Sequence, residues 1–137
     1  MELNARGRRL ALTLLGAATA AACSDNTIFP PRSATVVRLD LVTPQTDDGA
    51  LVIALQGPEV SNLAPASPGY LTYSRDHGPR EARIIVVGDL KAGPVLTLNI
   101  APGHQLAEYT ATIQQVATRS DALRDDLTGY CLTVTAP

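Results

Sequence analysis

Residues 83–100 read RIIVVGDLKAGPVLTLNI, two apolar runs separated by a short polar and glycine-bearing break. The first run is apolar at four consecutive positions, Ile84–Val87, the composition of a central strand covered on both faces. The second alternates: Leu96, Leu98 and Ile100 share one side, with Thr97 and Asn99 on the other. That period of two is the signature of a half-buried strand. Between them, LKAGP (Leu90–Pro94) supplies the permissive φ of glycine and the fixed φ of proline. The expected arrangement is a hairpin joining the Ile84 and Leu96 strands.

The same period recurs along the rest of the chain. In VVRLDLV (36–42), Val37, Leu39 and Leu41 alternate with Arg38 and Asp40. ALVIALQG (50–57) sets Leu51, Ile53 and Leu55 on one face, and GYLTYSRD (69–76) is a weaker run. YTATIQQVA (109–117) starts in phase at Tyr109, Ala111 and Ile113, but Val116 falls out of phase. A bulge or bend near Gln114-Gln115 would restore its burial. GYCLTVT (129–135) sets Tyr130, Leu132 and Val134 on one side and Cys131 on the other, beside Thr133 and Thr135. Cys131 is therefore either packed under a second covered face or partly exposed.

The connections TPQTDDG, PASPG, HGPR, KAGP and APGHQ are turn chemistry. SDALRDDL (120–127) predicts one or two helical turns, with Ser120 or Asp121 capping the start and Gly129 beyond the end. Seven short strands with turns between them indicate an all-β chain folded as a single antiparallel β-sandwich of about 7–9 strands over residues 35–137. Two layers are required because one alternating sheet would leave its Leu, Ile and Val face wet. Each such side chain contributes roughly 1.5–3 kcal/mol when buried.

Ahead of this domain, Arg6, Arg8 and Arg9 precede an apolar segment from Leu10 to Ala22. A basic start, a short apolar core and a small-residue end are the parts of an export signal. The apolar segment falls short of the roughly 20 residues a helix needs to cross a bilayer. It closes on Ala20-Ala21-Ala22-Cys23, which resembles the lipobox of bacterial lipoproteins, with Ala20 standing where that family usually has leucine. The resemblance implies a cleavable signal helix over residues 1–22, cleavage between Ala22 and Cys23, and acylation of Cys23. Several acyl chains on one residue anchor stably where one alone binds marginally. Ser24 occupies the position where aspartate would retain such a protein at the inner membrane, so the outer membrane is favoured. The other reading is a plain secretory signal that leaves Cys23 an ordinary thiol, able to bridge Cys131. Residues 23–34, with Pro30 and Pro31, then form a flexible tether.

The phrases LDLVTPQTDDGALVIALQGP (39–58), IIVVGDL (84–90) and LTGYCLTVT (127–135) together resemble small bacterial lipoproteins whose domain is similar to cohesin-like or immunoglobulin-like sandwiches. The resemblance implies a fold and a cell-envelope location. By analogy it also implies a docking role toward a protein or a glycan.

Composition narrows the partners. The chain carries 11 basic and 13 acidic side chains. Removal of residues 1–22 takes away Glu2 and three arginines, leaving a net charge of −4. That mild acidity holds no basic field for nucleic acid.

Candidate site residues are few. His77 and His104 are the only histidines, both in Gly/Pro loops, with Asp76, Glu81 and Glu108 near them in sequence. Their spacing matches no metal motif, and the expectation is solvated loop histidines. Asp47, Asp48, Asp121, Asp125 and Asp126 offer hard oxygen ligands without any calcium-loop pattern, so turn formation and helix capping are expected of them. Tyr70 and Tyr73 are three apart and should point to opposite faces of a strand, which argues against a shared sugar-stacking platform. They, Tyr109 and Tyr130 read as core or edge tyrosines. No nucleophile elbow, phosphate loop or metal-binding helix is present in the sequence, and no cofactor is expected. The functional expectation is a lipid-anchored envelope protein whose sandwich is a non-catalytic protein-binding or structural module. A glycan-binding module is the alternative, and a small hydrolase would need His77 and His104 on adjacent loops beside an enclosed pocket.

Overall fold

The computed structural model describes residues 36–137. The expected signal segment (1–22) and the expected tether (23–34) lie outside the described residues. Eight strands follow one another: β1 Val36–Val42, β2 Asp48–Gln56, β3 Val60–Pro65, β4 Leu71–Asp76, β5 Glu81–Leu90, β6 Gly93–Ile100, β7 Thr110–Thr118 and β8 Cys131–Thr135. A 3₁₀ turn, Leu106–Glu108, precedes β7. No helix among the described residues is long and apolar enough to cross a membrane.

The strands form two four-stranded antiparallel sheets, ordered β3-β6-β1-β8 and β4-β5-β2-β7. The alternating side chains meet between them. Val37, Leu39 and Leu41 of β1 and Leu96, Leu98 and Ile100 of β6 face Leu51, Ile53 and Leu55 of β2 and Ile84 and Val86 of β5, all buried in one cluster. Inner-face cross-strand pairs such as Leu39–Leu96 and Ile53–Ile84 pin the register. A one-residue slip would turn every one of them to solvent.

Bulges adjust this pattern. Between Leu39 and Asp40 the β1–β6 register shifts by one, and Val95 and Leu96 are consecutively buried as a result. In β7 the register against β2 shifts between Val52 and Ile53, so Gln114 is the extra residue and Val116 returns to the core, as its phase requires.

Three expectations are corrected and one strand is added. LKAGP does not close a hairpin: β5 and β6 lie in different sheets, and Leu90–Gly93 is an arch between layers. The reason is that both strands are internal. β5 already has β4 and β2 on its two edges, and β6 has β3 and β1, so neither has a free edge for the other. Among the described residues, the only hairpin joins β4 to β5. VSNLAP, which has no alternation and ends in proline, forms β3 at an edge, where proline is tolerated. SDALRDDL forms no helix. Residues 119–130 are turns, with Asp121 at φ 64° and Leu123 bridged to Ala117 of β7. Finally, β5 is covered on one face only: Ile84 and Val86 are buried while Ile85 and Val87 are exposed.

Gly49, read as part of a turn, lies inside β2, where the register shifts between Asp48 and Ala50 against both neighbours. A Cβ there would stand 2.7 Å from the Arg119 Cα and 2.8 Å from the Thr118 carbonyl oxygen, both backbone atoms. Gly49→Ala is expected to destabilise the fold by about 2 kcal/mol. Its urea midpoint should fall with no change in the slope of the transition.

Candidate functional site

Three places gather side chains with chemistry. The first lies at the end of the sandwich formed by the β1–β2 turn and residues 119–130. Asp48 is the one charged residue buried among the described residues, with no exposed surface. Its carboxylate accepts hydrogen bonds from Thr43 Oγ1 (2.6 Å), Arg124 Nε (2.8 Å) and the Tyr130 hydroxyl (2.8 Å). Burial alone would raise its pKa. The bonds from Thr43, Arg124 and Tyr130, together with the arginine charge, outweigh burial and hold the carboxyl below its ordinary value. Arg124 Nη2 also pairs with Asp47, and Arg119 Nη2 donates to the Thr46 carbonyl at 3.0 Å. Burial pushes the Tyr130 hydroxyl up.

This cluster is a fastener. The two carboxylates that offered oxygen ligands are both engaged by one guanidinium arriving from more than seventy residues away. Asp126 accepts from the Thr128 N–H and hydroxyl and so closes a local turn. Those bonds hold its pKa low. Among the described residues, no three His, Cys, Asp or Glu side chains are grouped to hold a metal ion.

The second place is an open cleft of about 530 Å³ at the opposite end, lined by Gln56, His77, Arg80, Glu81, Glu108 and Thr110. The structure thus brings the two histidine loops to one end of the molecule. His77 lines the cleft, and His104 approaches through Glu108, with Nδ1 2.9 Å from Oε2. The other Glu108 oxygen accepts the Gln105 N–H at 2.7 Å, and that bond, then the one to His104, lowers its pKa. Both carboxylate oxygens are therefore committed to the turn that presents them. Arg80 is anchored at its carbonyl, which accepts the Gly57 N–H at 3.0 Å. The lining is polar and open to solvent, with the Glu108 carboxylate already satisfied and Glu81 3.6 Å from Arg83.

The third place is the outer face of the β4-β5-β2-β7 sheet. Leu71 and Tyr73 of β4 are 59% and 60% exposed, and Ile85 and Val87 of β5 are 41% and 36% exposed. These four are direct cross-strand neighbours, Leu71 opposite Val87 and Tyr73 opposite Ile85. Half-buried Val52 and Ala50 of β2 continue the face beyond Ile85 and Val87. One step along, Arg75 stands opposite Arg83, two like charges side by side. Arg83 has Glu81 at 3.6 Å. A contiguous exposed apolar group rimmed by charge is a mark of an interaction surface.

The tyrosines separate as their spacing predicts. Tyr70, Tyr109 and Tyr130 pack on or in the core and Tyr73 stands outside it, so Tyr70 and Tyr73 share no stacking surface. Cys131 is half-buried on β8. Sequence reasoning missed Arg124, whose partners are distant in the chain. It also took the double apolar character of Ile84–Val87 for coverage when it was exposure.

No protein-family model matches the chain, and comparison with curated proteins and with solved structures finds no match either.

Proposed function

We propose that this is a lipid-anchored cell-envelope protein, acylated at Cys23 after cleavage behind Ala22, whose sandwich is a non-catalytic docking module of the immunoglobulin-like or cohesin-like kind. The observation that carries the docking role is the exposed quartet Leu71, Tyr73, Ile85 and Val87, with its arginine rim. A sheet face that must stay wet gains nothing from four large apolar side chains, whereas a face that meets another protein gains their burial. Anchoring is supported by the arginine-led apolar leader and the small residues before Cys23. The outer membrane, reached through Ser24, is the proposed location, with no role for nucleic acid, metal or cofactor.

The intact mass of the envelope-bound protein tests anchoring. Wild type should lack residues 1–22 and carry added acyl mass, and Cys23→Ala should abolish that addition. A wild-type chain without acyl groups overturns the anchoring.

A further inference from the structure

Each sheet has two edges, and three of the four are guarded. β3 carries Asn62 at φ 50°, a register shift between Ser61 and Ala64, and Pro65. β8 is only five residues long. β7 carries the Gln114 bulge, and its Val116–Thr118 end is lined by residues 122–124: the Thr118 N–H donates to the Ala122 carbonyl and the Arg124 N–H to the Val116 carbonyl. Bulges, proline, shortness and covering segments are the devices by which sheets avoid unwanted pairing. Among the described residues, β4 has no bulge, proline or covering segment over its six residues Leu71–Asp76, where its register against β5 runs without a shift. This flat edge borders the exposed apolar quartet.

We infer that β4 pairs with β4 of a second copy of this chain, antiparallel about a two-fold axis at Ser74, joining the two outer sheets into one of eight strands. The backbone parity selects this register. The His77 N–H donates to the Glu81 carbonyl at 2.8 Å, continuing the β4–β5 ladder one step past Asp76–Ala82. Alternation along an antiparallel pair then points the backbone groups of Leu71, Tyr73 and Arg75 toward β5. Those of Thr72, Ser74 and Asp76 face outward. Centring on Ser74 uses all three: Ser74 pairs with the second copy's Ser74, and Thr72 with its Asp76, twice over.

Side-chain chemistry agrees. In this register Tyr73 lies directly opposite the second copy's Arg75, at the closely spaced kind of pair. Arg75, set beside Arg83 on its own chain, gains an aromatic face on the other. Centring on Asp76 would oppose two carboxylates, and centring on Tyr73 would leave Asp76 outside the paired length. The second copy is therefore the occupant whose charges and backbone groups match this edge.

Oxidative cross-linking of the full chain in cells tests this, in a Cys131→Ala background that also sets the baseline. Paired Ser74 residues would have Cα atoms about 5.5 Å apart, within disulfide reach. Ser74→Cys should give cross-linked dimer at least ten-fold above baseline, while Ser61→Cys on β3 stays at baseline. Adding Tyr73→Arg, which sets two guanidinium groups face to face at an exposed position, should lower the Ser74→Cys yield at least ten-fold. Equal yields from Ser74→Cys and Ser61→Cys, or a yield indifferent to Tyr73→Arg, overturn the pairing. Both cysteine variants keep Cys23, so the difference between them reads the pairing whether or not that residue is acylated, and intact mass reports acylation separately.

Discussion

Replacing Asp48 with alanine is expected to lower the stability of the domain by about 3 kcal/mol or more, the cost of breaking a buried, hydrogen-bonded charge pair. Nothing then accepts from Arg124 Nε, Thr43 Oγ1 and the Tyr130 hydroxyl, which converge on that carboxylate. For a domain of this size the melting temperature should drop by at least about 10 °C. Asp48→Asn keeps the shape and one acceptor oxygen, and should cost less than alanine while losing the pH response. The sign follows from the depressed carboxyl. The ionised form is favoured by folding, so its contribution is fully present above the unfolded value of about 3.9 and disappears as pH falls through the lower folded value. The stability gap between wild type and Asp48→Asn should be constant above about pH 5 and narrow below pH 4. A gap that is flat down to pH 2 would mean that Asp48 is not the buried ion described here. Because the network ties residues 119–130 to the β1–β2 turn, hydrogen exchange in that segment should rise in Asp48→Ala.

The second large effect separates two adjacent isoleucines. Ile84 is fully buried against Ile53 and the rest of the core, whereas Ile85 is 41% exposed on the outer face. Ile84→Ala should destabilise by about 3 kcal/mol, in the range for deleting buried aliphatic carbon and leaving a cavity. Ile85→Ala should change stability by about 0.5 kcal/mol, as exposed positions do. Urea unfolding of the two variants side by side measures the difference. Equal losses would place a second covered layer over β5.

Several features of this fold were legible in one dimension. Alternation at Val37-Leu39-Leu41, Leu51-Ile53-Leu55 and Leu96-Leu98-Ile100 reports burial directly, because neighbouring residues on a strand point to opposite faces and only one face meets the core. Even the irregularity in β7 was visible, since Val116 broke the phase and had to be brought back by a bulge or a bend; the structure uses a bulge. The requirement for two layers likewise follows from the amount of apolar face to be hidden. Chain-local chemistry of this kind decided the class of fold, the inward residues and most of the strands.

Partnership between strands was decided elsewhere. LKAGP has the composition of a hairpin turn, yet it spans two layers, because edge vacancies depend on where β1, β2, β3 and β4 have already settled. The same holds for Asp48, whose acceptor atoms are filled by Arg124 and Tyr130 more than seventy residues away. It holds also for Ile85 and Val87, which no second layer covers among the described residues. A run of apolar letters records what a strand offers on each face. Whether a neighbour arrives to bury it is a property of the assembled three-dimensional packing, and so is the choice of which edge is left open.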